Sequence, residues 1–137
     1  PIPYTNAEQD FAKQIQKATG VPQAGMAGGI KPFKDQVAEG GSTDVADISW
    51  IAPTLNLSVV TSPLDAPWHA WPVVATGGMS IGHKGMVYAS KALAATMVDL
   101  YEQPAALAAV QAEFKAKKGD TVYKPYIPDG PPPVPKD

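Results

Sequence analysis

The sequence predicts a mixed α and β fold, with helices packed on a sheet. Three observations carry that expectation. Apolar residues recur at three- and four-residue steps towards both ends of the chain, as amphipathic helices require. Between them TLNLSVVT, residues 54–61, alternates and is rich in β-branched side chains, as a half-buried strand would be. A second apolar run, Trp71–Thr76, reads as a shorter strand.

Each element has its own signals. Thr5 and Glu8 form T-x-x-E before a helical pattern, the spacing of a capping box. Ala7, Phe11, Ile15 and Ala18 then define an apolar face, and Gly20 stops the helix. Residues 21–41 are punctuated by glycine and proline and read as a long loop, with one short turn near Lys34–Ala38. Ser42 or Thr43 caps a short helix carrying Val45, Ile48 and Ile51, which Pro53 ends. From Ser80 the helical period returns at Met86, Ala89, Leu93, Met97 and Leu100, ending near Tyr101. Pro104 suits the first turn of a last helix with Leu107, Val110 and Phe114 inward. Its final turn holds Lys115, Lys117 and Lys118, where the helix dipole favours cations, and Gly119 ends it. The closing stretch, TVYKPYIPDGPPPVPKD, contains six prolines and reads as an extended tail. Two or three strands make a poor independent sheet, so further strands are expected from sequence outside this chain.

Composition narrows the function. The chain has 137 residues, 45% of them hydrophobic, which suffices for one domain with a core. Charged residues make up 18% and the net charge is −2, so no basic surface is offered to nucleic acid or anionic lipid. No apolar run approaches the ~20 residues that span a bilayer. There is no cysteine, hence no disulfide framework and no thiolate metal site, which fits any compartment.

The chemistry concentrates in DAPWHAWPVVATGGMSIGHKG, residues 65–85, which holds both histidines, His69 and His83. The glycine turn ahead of a helix resembles a phosphate cradle. However, His83 stands where a P-loop has lysine, Lys84 is one residue late, and Gly85 replaces the magnesium-binding hydroxyl. One residue is about 100° of helix rotation, so Lys84 points elsewhere. A glycine-rich helix start is the simpler reading. For metals the donors are His69, His83, Asp44, Asp47 and Asp65, with no paired-histidine motif. A histidine between Trp68 and Trp71 reads equally as a packed, hydrogen-bonded aromatic. Ser42, Ser49, Ser62 and Ser80 read as caps and turn residues. The residues alone lead to a polar patch of Asp44, His69 and His83.

Three segments, in this order and spacing, carry a resemblance: GSTDVADISWIAPT (Gly41–Thr54), APWHAWPVVATG (Ala66–Gly77) and SIGHKGMVYASKALAATMVDL (Ser80–Leu100). They resemble the C-terminal part of the metal-dependent aminoacylase and amidohydrolase (metallopeptidase) family, in its aminobenzoyl-glutamate hydrolase-like branch. PYTNAEQDFAKQIQ and PAALAAVQAEFKAKKG also fit, so the resemblance covers residues 3–128. It implies a zinc-peptidase-like three-layer α/β/α catalytic domain, helices on a mixed sheet. Residues 1–120 would be the C-terminal portion of that domain and residues 121–137 a proline-rich extended tail.

The family hydrolyses amide bonds of N-acyl amino acids and small peptides with two divalent ions, zinc or manganese, in each intact active site. By this resemblance His69 is the last metal ligand. Ser42, Thr43 and Asp44 match a G-S-x-D turn beside the site, but many relatives carry Glu in place of Thr43, so no role carries over to it. His83 matches a histidine of this branch and is expected in the substrate pocket with Asp44 and Ser42. The general base and the remaining ligands are expected before Pro1, so no catalytic residue is assigned within the chain. The implied partners are the N-terminal part of the same catalytic domain, an inserted lid domain, a small-molecule amide substrate and, when intact, a second copy in a homodimer. Neither nucleic acid nor membrane is among them. The alternatives are a non-catalytic binding or scaffold domain that keeps the fold, and an anion-binding module built on Ser80–Lys84.

Overall fold

The computed structural model describes residues 1–32, 43–127 and 129–131. Among them are five helices: α1 (Asn6–Thr19), α2 (Val45–Ser49), α3 (Trp71–Gly77), α4 (Ser80–Glu102) and α5 (Pro104–Lys118). The described residues contain no strand. They fall into two compact units. One draws on Pro1–Val37 and Asn56–Glu102 and contains α1, α3 and α4; the other draws on Ala38–Leu55 and Gln103–Asp137 and contains α2 and α5.

The expected α/β architecture, a three-layer α/β/α domain with a mixed sheet, is therefore corrected to a helical one. A strand exists only through pairing of its backbone with a neighbour, and residues 54–61 enter no ladder. The Val60 carbonyl instead accepts the Tyr4 hydroxyl at 2.6 Å. The other expected strand, Trp71–Thr76, is helix α3. A six-residue apolar run does not distinguish strand from buried helix. Here Pro72 settles into the first turn, where its missing N–H costs nothing. The Thr76 hydroxyl bonds back to the Pro72 carbonyl one turn earlier, at 3.0 Å, and α3 packs on α4.

Helix α1 follows its sequence signals at both ends. Thr5 and Glu8 form the capping box, and Gly20 closes the helix in the left-handed conformation at φ 75°. Its buried face differs from the expected one. Ala7 and Ala18 are exposed and Phe11 is half-buried. Ile15 is buried as expected, but Glu8, Ala12 and Gln16 face inward with it. Burying two polar side chains requires that their polar atoms be bonded, and both sets are. Gln16 donates from Nε2 to the carbonyls of Leu64 (2.9 Å) and Gly25 (3.1 Å) and accepts the Gly25 N–H at 2.7 Å. Around this frame the buried apolar cluster is Ala12, Met26 and Ile81, with Tyr4, Phe11, Val60 and Met79 packed against it.

The glycines of GGMSIGHKG serve close packing. A Cβ at Gly82 would collide with the Gly77 backbone, and one at Gly85 with the Thr61 side chain. Helix α4 thus meets the end of α3 on one side and residues 60–61 on another at backbone distance.

In the second unit, α2 starts at Asp44, which makes no side-chain cap bond, while Thr43 Oγ1 accepts the Val45 N–H at 3.3 Å. Helix α5 begins with Pro104 in its first turn and ends at Gly119, with its three lysines in the last turn. In the tail the Tyr123 hydroxyl donates to the Asp47 carboxylate at 2.6 Å. The expected turn near Lys34–Ala38 lies outside the described residues.

Gly82→Ala should lower stability by ~1–3 kcal/mol, because the obstructing atoms are backbone and cannot swing aside. The loss is expected despite the ~1 kcal/mol that alanine gains over glycine in a helix. Gly78→Ala, with open space around it, should stay within ~0.5 kcal/mol. Urea unfolding of the two variants checks the pair.

Candidate functional site

The first unit is organised around one carboxylate. Glu8, 5% exposed, accepts from four donors. The Thr5 backbone N–H (2.7 Å), the Thr5 hydroxyl (3.1 Å) and the Lys84 ammonium (2.6 Å) meet Oε2, and the Ser80 hydroxyl (2.6 Å) meets Oε1. Lys84 also donates to the Pro3 carbonyl at 2.9 Å, and its Nζ lies 5.9 Å from the Tyr4 ring centroid. The carboxyl is held at about 2, down from an ordinary 4.5. Lys84 contributes most, then Ser80 and the Thr5 backbone, against a burial effect that raises it. The capping-box spacing announces only the Thr5 contacts; nothing in sequence announces Ser80 and Lys84.

This arrangement answers the phosphate reading of the glycine turn. The anion at the start of α4 is the protein's own Glu8 carboxylate, and it engages both Ser80 and Lys84. In the anion-binding alternative built on Ser80–Lys84, the Ser80 and Lys84 side chains are thus already engaged by Glu8.

His83 sits in the first turn of α4, on the rim of a shallow groove lined also by Pro3, Ser80, Lys84, Val87 and Tyr88. Its backbone N–H bonds the Met79 carbonyl at 3.0 Å. The side chain is exposed, and its ring nitrogens have no hydrogen-bond partner among the described residues. The imidazole can therefore donate to, or accept from, a molecule in the groove.

His69 lies in the turn between Pro67 and α3, in the same unit. Its backbone is left-handed, φ 58°, as is that of Asp65 at 56°. Such values are uncommon outside glycine, although His and Asp are among the residues that tolerate them. The ring stands edge-on to Trp68, with centroids 6.1 Å apart and planes at 71°. Reading this cluster as packed core does not hold: His69 is exposed, and Trp68 and Trp71 are 67% and 52% exposed. Both ring nitrogens of His69 are without a hydrogen-bond partner among the described residues.

Asp44 is exposed at the start of α2 and belongs to the other unit. Ser42 lies outside the described residues. Among the described residues no three His, Asp or Glu side chains come together as a metal cage. His69 fits a metal only as a single donor, one accessible imidazole.

The chain is 36% identical over 94 residues to one of the subunits of the p-aminobenzoyl-glutamate hydrolase of Escherichia coli (strain K12). The match takes in 69% of this chain and 20% of that protein, so the chain spans about a fifth of the length of its curated relative. This supports an amidohydrolase-like relationship. No protein-family profile matches the chain, and no solved structure does. No helix among the described residues is long and apolar enough to cross a membrane.

The lowered Glu8 carboxyl has a consequence for stability. A carboxylate whose folded value is depressed stabilises the fold fully above its unfolded value, near 4.5, and loses that contribution as pH falls towards about 2. The urea midpoint should therefore fall between those limits in the native chain. Glu8→Gln should start lower at neutral pH and show a flatter decline, as measured by unfolding at a series of pH values.

Proposed function

We propose that this chain forms part of a metal-dependent amidohydrolase cleaving amide bonds of N-acyl amino acids or small peptides, aminobenzoyl-glutamate-like compounds among them. The observation that carries this reading is the 36% identity over 94 residues to a protein named as a p-aminobenzoyl-glutamate hydrolase subunit. In this reading His69 is one ligand of a pair of divalent ions, zinc or manganese, and His83, Asp44 and Ser42 belong to the substrate pocket. The exposed, unpartnered imidazole of His69 suits a ligand better than a core aromatic would.

Divalent ions in such a site lower the pKa of water and polarise the amide carbonyl. The chain's own residues bind and orient. His69 offers a ring nitrogen beside the edge-on Trp68 ring. His83, on the groove rim, donates a hydrogen bond to a substrate oxygen. The base that moves the proton and the remaining ligands come from sequence outside this chain.

The reading includes protein partners: the rest of a catalytic domain, a lid and a second copy. The relative is itself named as a subunit. Large apolar side chains on α3 and α4 are available for such contacts, with Val74 79% exposed, Met86 60%, Met97 57% and Tyr101 84%.

The test uses the chain within a polypeptide extended to the relative's length, assayed with p-aminobenzoyl-glutamate and analysed for bound metal. His69→Ala should lose metal and drop turnover by about 100-fold or more, about 2.7 kcal/mol in the barrier. His83→Ala should keep its metal and lose turnover or substrate affinity. Retention of both metal and activity in His69→Ala would remove it from the ligand set. A metal-free, inactive parent protein would favour the non-catalytic scaffold instead.

A further inference from the structure

Along the first turns of α4, almost every side chain is engaged. Ser80 and Lys84 bond Glu8. Ile81 is fully buried. Gly82 lies against the Gly77 backbone and Gly85 against Thr61. His83 is the exception, exposed and without a hydrogen-bond partner among the described residues. Ser80 and Lys84 are one turn apart, so a single carboxylate gripping both fixes α4 in rotation and in translation along its axis. A one-residue slip would turn His83 by about 100°.

The segment carrying His69 is held in a comparable way from the same helix. Gln16, 0% exposed, donates to Leu64 and Gly25 and accepts from Gly25. The Leu64 N–H bonds the Gly25 carbonyl at 3.0 Å. Residues 65–70 follow this anchor directly, with two left-handed residues, Asp65 and His69. They end at α3, which packs on α4.

We propose that Glu8 and Gln16 are positioning residues, Glu8 for His83 and Gln16 for His69, in the site read above. Neither side chain is needed in this form by α1 itself. The capping box uses only the Thr5 contacts of Glu8. Position 16 would bury an apolar side chain without the desolvation cost that an unbonded polar group carries. What the polar groups add is direction. A hydrogen bond fixes distance and angle, whereas apolar packing tolerates sliding. Two exposed imidazoles held on fixed mounts form the preorganised shell that a binding site requires.

The chain has two histidines, so nuclear magnetic resonance spectra of its imidazoles contain two ring systems, assigned with His69→Asn and His83→Asn. In the full 137-residue chain, Glu8→Gln should shift or broaden the His83 resonances and leave those of His69 in place. Gln16→Met should do the reverse. This crossed pattern does not depend on metal or activity, so it stands or falls separately from the amidohydrolase reading. If each variant moves both rings, or neither ring, the assignment is wrong. Should Glu8→Gln or Gln16→Met unfold the chain, milder variants decide. Ser80→Ala, which leaves the ion pair, must move His83 alone. Gln16→Asn, which keeps the amide but is one methylene too short to reach Gly25 and Leu64 together, must move His69 alone. Any other outcome for these two overturns the proposal.

Discussion

A carboxylate taken out of water must be met by donors or give up its charge, and the first unit is arranged so that Glu8 keeps its charge. Its donors come from three places: the N-terminal cap of α1, the first residue of α4 and a lysine one turn further along α4. Residues more than seventy positions apart in sequence are thereby tied at one point. Among the described residues the apolar cluster beside it is small, Ala12, Met26 and Ile81. With so little buried hydrocarbon to define orientation, directional bonds set how α1 and α4 meet. Removing Lys84 would be costly because it strands the buried Glu8 carboxylate.

Helix boundaries were legible wherever a local rule fixes them. The capping box at Thr5, the left-handed Gly20, Pro104 in the first turn of α5 and Gly119 at its end all act through neighbouring backbone atoms. The strand signals mislead because pairing is not local. Alternation in residues 54–61 promises a face to bury, but a strand also needs a partner. Val60 meets a tyrosine hydroxyl instead. In Trp71–Thr76 the run was too short to show a period, and Pro72 was a helix-start signal read as strand.

The inward face of α1 departs from its apolar periodicity for a related reason. Apolar periodicity selected Ala7, Phe11, Ile15 and Ala18, yet Glu8 and Gln16 are among the residues turned inward. Sequence marks a polar residue as outward by default. The structure inverts this because each polar atom finds a partner far along the chain, at Ser80 and Lys84 for one and at Leu64 for the other. For the candidate site, both histidines stood out as the chain's only imidazoles. Their exposure and their mounts were not legible, since these rest on contacts between distant residues. His69 and His83 share a unit, whereas Asp44 belongs to the other.

The spacing of the two polar anchors constrains how this protein can vary. Glu8 and Gln16 are eight residues apart on one helix, about 12 Å along its axis. Inserting or deleting a single residue between them would swing one anchor round by about 100° and shift it by about 1.5 Å, whatever residue was chosen. Helix α1 is therefore free to change composition at its exposed positions Asp10, Lys13 and Gln14, but its length between the anchors is locked. Among related chains, gaps should be absent from residues 8–16 even where identity there is low.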